Sequence, residues 1–144
     1  MNESPTPYEL IGGETGVRQL VDHFYDHMDE LEEVKAVRDM HAKSLRVSRE
    51  KLFLFLSGWL GGPDLYVQKY GHPRLRRRHL PFSIGLAERD QWMHCMRLAL
   101  DDMHLENNLR DKLEAAFHAT ADHMRNRAEH ESDDSLRVIS NPTS

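Results

Sequence analysis

The chain of 144 residues contains one cysteine, Cys95, so no internal disulfide can form. A lone thiol suits a reducing cytoplasm and excludes a disulfide-stapled scaffold. Long hydrophobic runs are also missing. The longest candidate, residues 52–60, falls far short of the roughly 20 apolar residues a membrane span needs. Residues 1–6 are polar and no apolar segment follows them, so no secretory leader is expected. Basic charge is not in excess. The net charge is −5, so bulk attraction to nucleic acid or acidic membranes is not expected. There is no P-loop, GxGxxG, GxSxG or HExxH motif, no alternating strand pattern and no internal repeat. What remains is 39% hydrophobic and 30% charged residues, the balance of one globular domain with a real core.

Helical periodicity is plentiful. Residues 1–7 read as a loose polar lead-in and 8–11 as a short apolar entry closed by Gly12 and Gly13. Residues 15–30 read as a helix, with Val17, Leu20, Val21, Phe24 and Met28 on one face and Tyr25 at its edge. Residues 33–40 form a short turn or helix. Residues 47–60 place Leu52, Phe55, Leu56 and Trp59 at helical spacing, and Phe53 and Leu54 make a second apolar side. Gly61 supplies the stop. One further turn is expected at 64–70. Helices at 86–103 and 107–127 bury Trp92, Cys95, Met96, Ala99 and Met103, then Leu109, Leu113, Ala116, Phe117 and Met124. Thr120 shares that last stripe, where its hydroxyl can bond a carbonyl one turn back. Residues 129–144 are acidic, then rich in small polar residues, and read as a disordered tail. The class is all-α, and such irregular helices leave room for a pocket.

Ten histidines is a high count for this length. The one with the most constrained setting is His79, in the stretch YVQKYGHPRLRRRHLPF at 66–82. Pro73 suits a helix's first turn, and Leu80, placed before Pro81, is biased out of helical space. The helix is therefore expected at 73–79, with His79 at its end. Haem iron needs an imidazole, apolar walls and cations for its propionates. His79, the flanking Leu75, Phe82 and Ile84, and Arg76, Arg77, Arg78 and Lys69 can supply them. The same arginines also read as a solvated face or a nucleic-acid patch.

Tyr25 and Trp92 carry an O–H and an N–H on or beside buried faces, where each needs a partner. Taken alone, either is better accounted for as core packing with a local acceptor. His41 sits in the turn before the 47–60 helix, where surface exposure is the simpler reading. His23 and His27 have the i, i+4 spacing of a metal pair but fall away from the apolar face, so solvent is expected around them. Asp101 and Asp102 have no partner spacing for a metal. Cys95 reads as an inert buried thiol.

The longest distinctive segment is GHPRLRRRHLPFSIGLAERDQWMHCM, residues 71–96. With FYDHM at 24–28, VRDMHAKSL at 37–45 and FLSGWLGGP at 55–63, it makes residues 8–125 resemble the group II truncated haemoglobins. That resemblance implies a shortened globin, a two-over-two helical sandwich around haem b, spanning residues 8–128. It assigns the proximal imidazole to His79 and the distal pocket to Tyr25, His41, Ser48 and Trp92. It places Leu52 toward the ligand and Phe55 on the porphyrin, with Tyr66, His72, Leu75, Arg78, Phe82, Ile84 and Met96 around the cofactor. The implied ligand is dioxygen, with carbon monoxide, nitric oxide, peroxide and sulfide as further candidates. Oxygen delivery and peroxide or nitric oxide chemistry with an unidentified reductase both follow, from a monomer or homodimer. The competing expectation is a haem-free helical module that docks an acidic partner on the basic face 69–78.

Overall fold

The computed structural model describes residues 4–126. Among these residues eight α-helices run in order: α1 (Pro7–Ile11), α2 (Gly13–Glu30), α3 (Lys35–Asp39), α4 (Arg46–Trp59), α5 (Leu65–Tyr70), α6 (Leu75–His79), α7 (Leu86–Asp102) and α8 (Asn107–His123). A 3-10 turn, Glu32–Val34, joins α2 to α3, and no strand occurs among the described residues. The expected tail at 129–144 lies outside them, as do residues 1–3.

Local chemistry explains the helix ends. Thr6 and Pro7 are not a loose lead-in but start α1. The Thr6 hydroxyl accepts the Glu9 N–H at 3.2 Å, and the Glu9 carboxylate accepts the Thr6 N–H at 2.9 Å. Gly12, at φ 113°, ends α1 and opens α2 in a conformation that a side chain would strain. Gly16 lets α2 meet that turn, because a Cβ there would lie 1.9 Å from the Ile11 carbonyl oxygen.

The core lies where α2 packs on α7, flanked by α4 against α2 and α8 against α7. This is the two-over-two sandwich. Leu20, Phe24 and Met28 of α2 and Met93, Met96 and Leu100 of α7 are almost wholly buried. Each such side chain contributes about 1.5–3 kcal/mol relative to exposure. Because α7 is covered from two sides, its buried set is wider than one stripe. Met93 and Leu100 are in it, while Trp92 and Met103 are half-buried. In α8, which is covered on one side only, Leu113, Phe117 and Ala121 are buried and Ala116 is exposed. That helix ends at His123 rather than at 127.

Ion pairs fasten the layers. Arg49 of α4 bonds Asp22 at 3.0 Å and Asp26 at 2.8 Å on α2. Arg97 of α7 bonds Glu114 of α8 at 2.6 Å, and Arg110 also pairs with Glu114. His23 and His27 are not merely solvated, since both face Asp102 of α7, His27 at 2.6 Å and His23 at 3.6 Å. Half-exposed pairs of this kind are worth about 0–1 kcal/mol each, so they set register more than stability.

Candidate functional site

α6 is shorter than the sequence implies, and the reason is local. Pro73 lies before the helix, not in its first turn. The Arg74 N–H donates to His72 Nδ1 at 3.0 Å, and Arg74 turns left-handed at φ 49°, so the helix opens only at Leu75. The helix does stop at His79. Leu80 nevertheless stays in helical space, φ −58° and ψ −34°, and its N–H closes a tighter turn onto the Arg77 carbonyl at 3.2 Å. Pro81 therefore ends the helix by lacking a donor rather than by bending the residue before it.

His79 Nδ1 lies 2.7 Å from the Leu75 carbonyl oxygen. A carbonyl only accepts, so the proton sits on Nδ1 and the Nε2 lone pair is left free. His41 follows the same logic, with Nδ1 donating to the Val37 carbonyl at 2.9 Å. His72 is the reverse. Its Nδ1 accepts the Arg74 N–H, so in the neutral ring the proton lies on Nε2. Burial holds the His41 pKa below its ordinary value, Arg38 and His79 push the same way, and the Val37 bond opposes them. His79 is among the groups that bear on His41, 38 residues earlier in the sequence, so the two imidazoles lie near one another.

Tyr25 is buried, with 6% of its surface exposed. Its ring stands edge-on to Phe24 at 4.8 Å and to His41 at 5.8 Å. Burial raises the phenol well above its ordinary pKa against the pull of Arg49, so it remains an O–H donor. That hydroxyl has no hydrogen-bond partner among the described residues. The same holds for the Trp92 indole N–H and for Nε2 of His41 and His79. Trp92 packs on Phe24 at 4.9 Å and on Phe117 at 6.1 Å.

Beside α6 lies a cavity of 710 Å³, walled by Phe55 and Trp59 of α4, Leu75 of α6, and Thr120 and Met124, with His72, Arg74 and Arg77 also lining it. Thr120 faces this space and makes no bond to the carbonyl one turn back. Ser48, Leu52, Phe55 and Trp59 form a half-buried row on α4, beside the buried Phe53 and Leu56. The cavity reaches Leu75, one turn from His79, but His79, Tyr25, His41 and Trp92 do not line it. Tyr66 is buried and its ring lies 6.3 Å from Phe55. Arg78 sits 5.9 Å over Tyr66, its Nε donating to the Pro73 carbonyl at 2.6 Å. Ile84 is buried, whereas Phe82 is 41% exposed. Met96, expected beside the cofactor, is wholly buried in the core and presents no open surface. Arg76 is already engaged, donating to the carbonyls of His123 at 2.6 Å and Arg125 at 2.9 Å.

The profile of the bacterial-like globin family matches residues 6–126. The chain is 41% identical over 125 residues to group 2 truncated hemoglobin YjbI of Bacillus subtilis (strain 168), covering 87% of this chain and 92% of that one. It superposes on the group II 2-on-2 hemoglobin of Agrobacterium tumefaciens with a TM-score of 0.85 and 44% identity, over 88% and 98% of the two chains. The chain belongs to the group II truncated haemoglobins. A cold-adapted truncated hemoglobin of the Antarctic marine bacterium Pseudoalteromonas haloplanktis TAC125 matches at TM-score 0.84 and 48% identity, over 86% and 100% of the chains. Membership implies haem-based binding of diatomic gases and does not favour the haem-free module. No helix among the described residues is long and apolar enough to cross a membrane.

The residues of this truncated haemoglobin fit a haem. A free Nε2 lone pair, a buried hydroxyl without a partner, an apolar row left half-covered on α4 and a cavity rimmed by arginine are what such a group would satisfy. One contributor is missing from the sequence reading. Asn126 bonds the loop after His79 four times. Its side-chain amide donates to the carbonyls of His79 at 3.2 Å and Phe82 at 2.8 Å, its Oδ1 accepts the Ile84 N–H at 2.9 Å, and its own N–H donates to the Ile84 carbonyl at 2.8 Å. The only sequence signal is an asparagine just past a helix end.

Proposed function

We propose that this protein is a cytoplasmic haem b protein that binds dioxygen, with His79 as the iron ligand and Tyr25, Trp92 and His41 as the polar groups over the bound gas. Haem, held by His79, would supply an iron able to bind a diatomic gas. The single observation that carries the reading is a set of polar atoms with no partner among the described residues: Nε2 of His79, and the Tyr25 hydroxyl, Trp92 N–H and His41 Nε2. The Leu75 carbonyl orients the His79 ring and fixes its tautomer. Tyr25 and Trp92 would offer hydrogen bonds to a bound gas, in a setting where a fixed donor is worth more than in water. Ser48, small and early in α4, leaves that side open. Leu52, Phe55 and Leu75 supply apolar contact, and Arg78 is the propionate partner.

Such a site serves reversible oxygen binding and, given a reductant, peroxide or nitric oxide chemistry. Haemin titration of the purified chain tests the reading. It should give a one-to-one Soret band and, after reduction, spectra of oxygen and carbon monoxide adducts. No Soret band after haemin addition would sink it. Steady turnover of peroxide or nitric oxide with a reductase would favour the redox use, and reversible binding without turnover the delivery use.

A further inference from the structure

Positive charge in this chain is segregated. Residues 65–87 hold five cations, Lys69, Arg74, Arg76, Arg77 and Arg78, and no acid. The chain as a whole is −5, so the remainder carries −10. Part of that positive charge is built around two tyrosines of α5. Tyr66 and Tyr70 pack ring on ring at 4.9 Å. Lys51 and Lys69 both sit over the Tyr70 ring, at 5.3 Å and 5.4 Å, and Arg78 sits over Tyr66 at 5.9 Å. None of the three makes an ion pair among the described residues, and Glu50 beside Lys51 is committed to Arg18 at 3.0 Å. Two ammonium groups over one ring repel each other, and the ring face offsets that only in part. Tyr70 is 39% exposed and Val67 44%, so the patch also offers apolar contact.

The patch leads inward. From Tyr70 the rings continue to Tyr66 at 4.9 Å and from Tyr66 to Phe55 at 6.3 Å, and Phe55 walls the cavity. An exposed cationic surface is thus joined through three aromatic side chains to the cavity beside α6.

We infer that the Lys51–Lys69–Tyr70 patch is the docking face for a small acidic electron-carrier protein. The choice of an electron carrier rests on the haem reading above; the acidity of the partner rests on charge alone. The step served is a one-electron transfer. The carrier's reduced centre is oxidised, ferric iron becomes ferrous, and no bond forms or breaks. Complementary charge speeds and orients such encounters, which are small and short-lived.

The test uses the haem-loaded ferric chain and an acidic [2Fe–2S] ferredoxin, with binding measured by calorimetry at low and physiological salt. Binding should weaken about 10-fold or more between the two salts. The double variant Lys51→Glu/Lys69→Glu should weaken it by a similar factor, with the Soret band and melting temperature unchanged. Reduction by ferredoxin should slow in step, while reduction by dithionite stays constant. The neutral pair Lys51→Gln/Lys69→Gln should give an intermediate loss, which keeps the test decisive if the charge reversal misfolds. Absence of binding, salt-independent binding or unchanged affinity in the variants would overturn the proposal. Tighter binding of double-stranded DNA through the same lysines would overturn it in favour of a nucleic-acid face. Failure to take up haemin would overturn the function proposed above instead, and the two failures are read separately.

Discussion

Asn126 donates its side-chain amide to the backbone carbonyl of His79, 47 residues earlier, at 3.2 Å. With its bonds to Phe82 and Ile84, it staples the loop that follows α6 to the end of α8. Replacing it with alanine leaves those backbone groups without partners in a half-buried setting. Asn126→Ala should cost about 1–3 kcal/mol in urea unfolding. It should also speed haem loss to an apomyoglobin acceptor, because the backbone carbonyl it holds belongs to His79 itself.

His79 and His72 differ by tautomer, and that separates them as ligands. His79→Gly should abolish the normal ferrous spectrum and recover it in part with added imidazole. His72→Ala should leave the spectrum intact, because the nitrogen that bonds Arg74 is not available and the other carries the proton. Spectral loss in His72→Ala with none in His79→Gly would reverse the assignment.

Tyr25 and Trp92 approach through a shared neighbour, Phe24, at 4.8 Å and 4.9 Å. Tyr25→Phe and Trp92→Phe should each raise the oxygen off-rate, by about 10- to 100-fold for loss of a hydrogen bond to a charged acceptor. In a double-mutant cycle the two effects should not add if, as proposed, both donors serve one ligand. Stopped-flow displacement by carbon monoxide measures this, and unchanged rates in all three variants would remove both residues from the site.

Acid should weaken the α7–α8 layer first. Arg97 chiefly, with Arg110, holds Glu114 below its ordinary pKa of 4.5, and Arg89 chiefly, with Arg125, holds Asp122 below 3.8. A carboxylate depressed in the folded state contributes stability that is present above the unfolded value and is lost as pH falls through the folded one. Unfolding midpoints in urea should therefore hold steady down to about pH 5 and drop below pH 4. Glu114→Gln should lower stability at pH 7 and flatten the decline below pH 4.

Features that repeat along one helix were legible without coordinates. The Val17–Met28 face of α2, the two apolar sides of α4 and the histidine that ends α6 are all written in local spacing. The apolar row Leu52, Phe55, Trp59 was visible because three residues at helical spacing leave little else to infer. What stayed hidden joins distant positions. His27 meets Asp102 across 75 residues, and Asn126 meets the loop after α6 across more than 40. Nothing in the periodicity of either partner marks such a pair. Arg76 shows the same limit from the other side. Its place in a run of arginines points to solvent or a propionate, yet its two bonds go to backbone carbonyls at the end of α8 and just past it. The burial of Met93 and Leu100 and the exposure of Ala116 turn on how many neighbours cover α7 and α8, which a single helix's pattern does not record.

The half-covered row on α4 bears on the life of the chain in a cell. An apolar strip left partly uncovered is a surface that chaperones and proteases recognise and that copies of the chain share with one another. A cofactor seated on it would hide the strip and, by mass action, hold the native state populated. On the haem reading, the supply of porphyrin then governs how much of this protein persists as well as how much of it is functional.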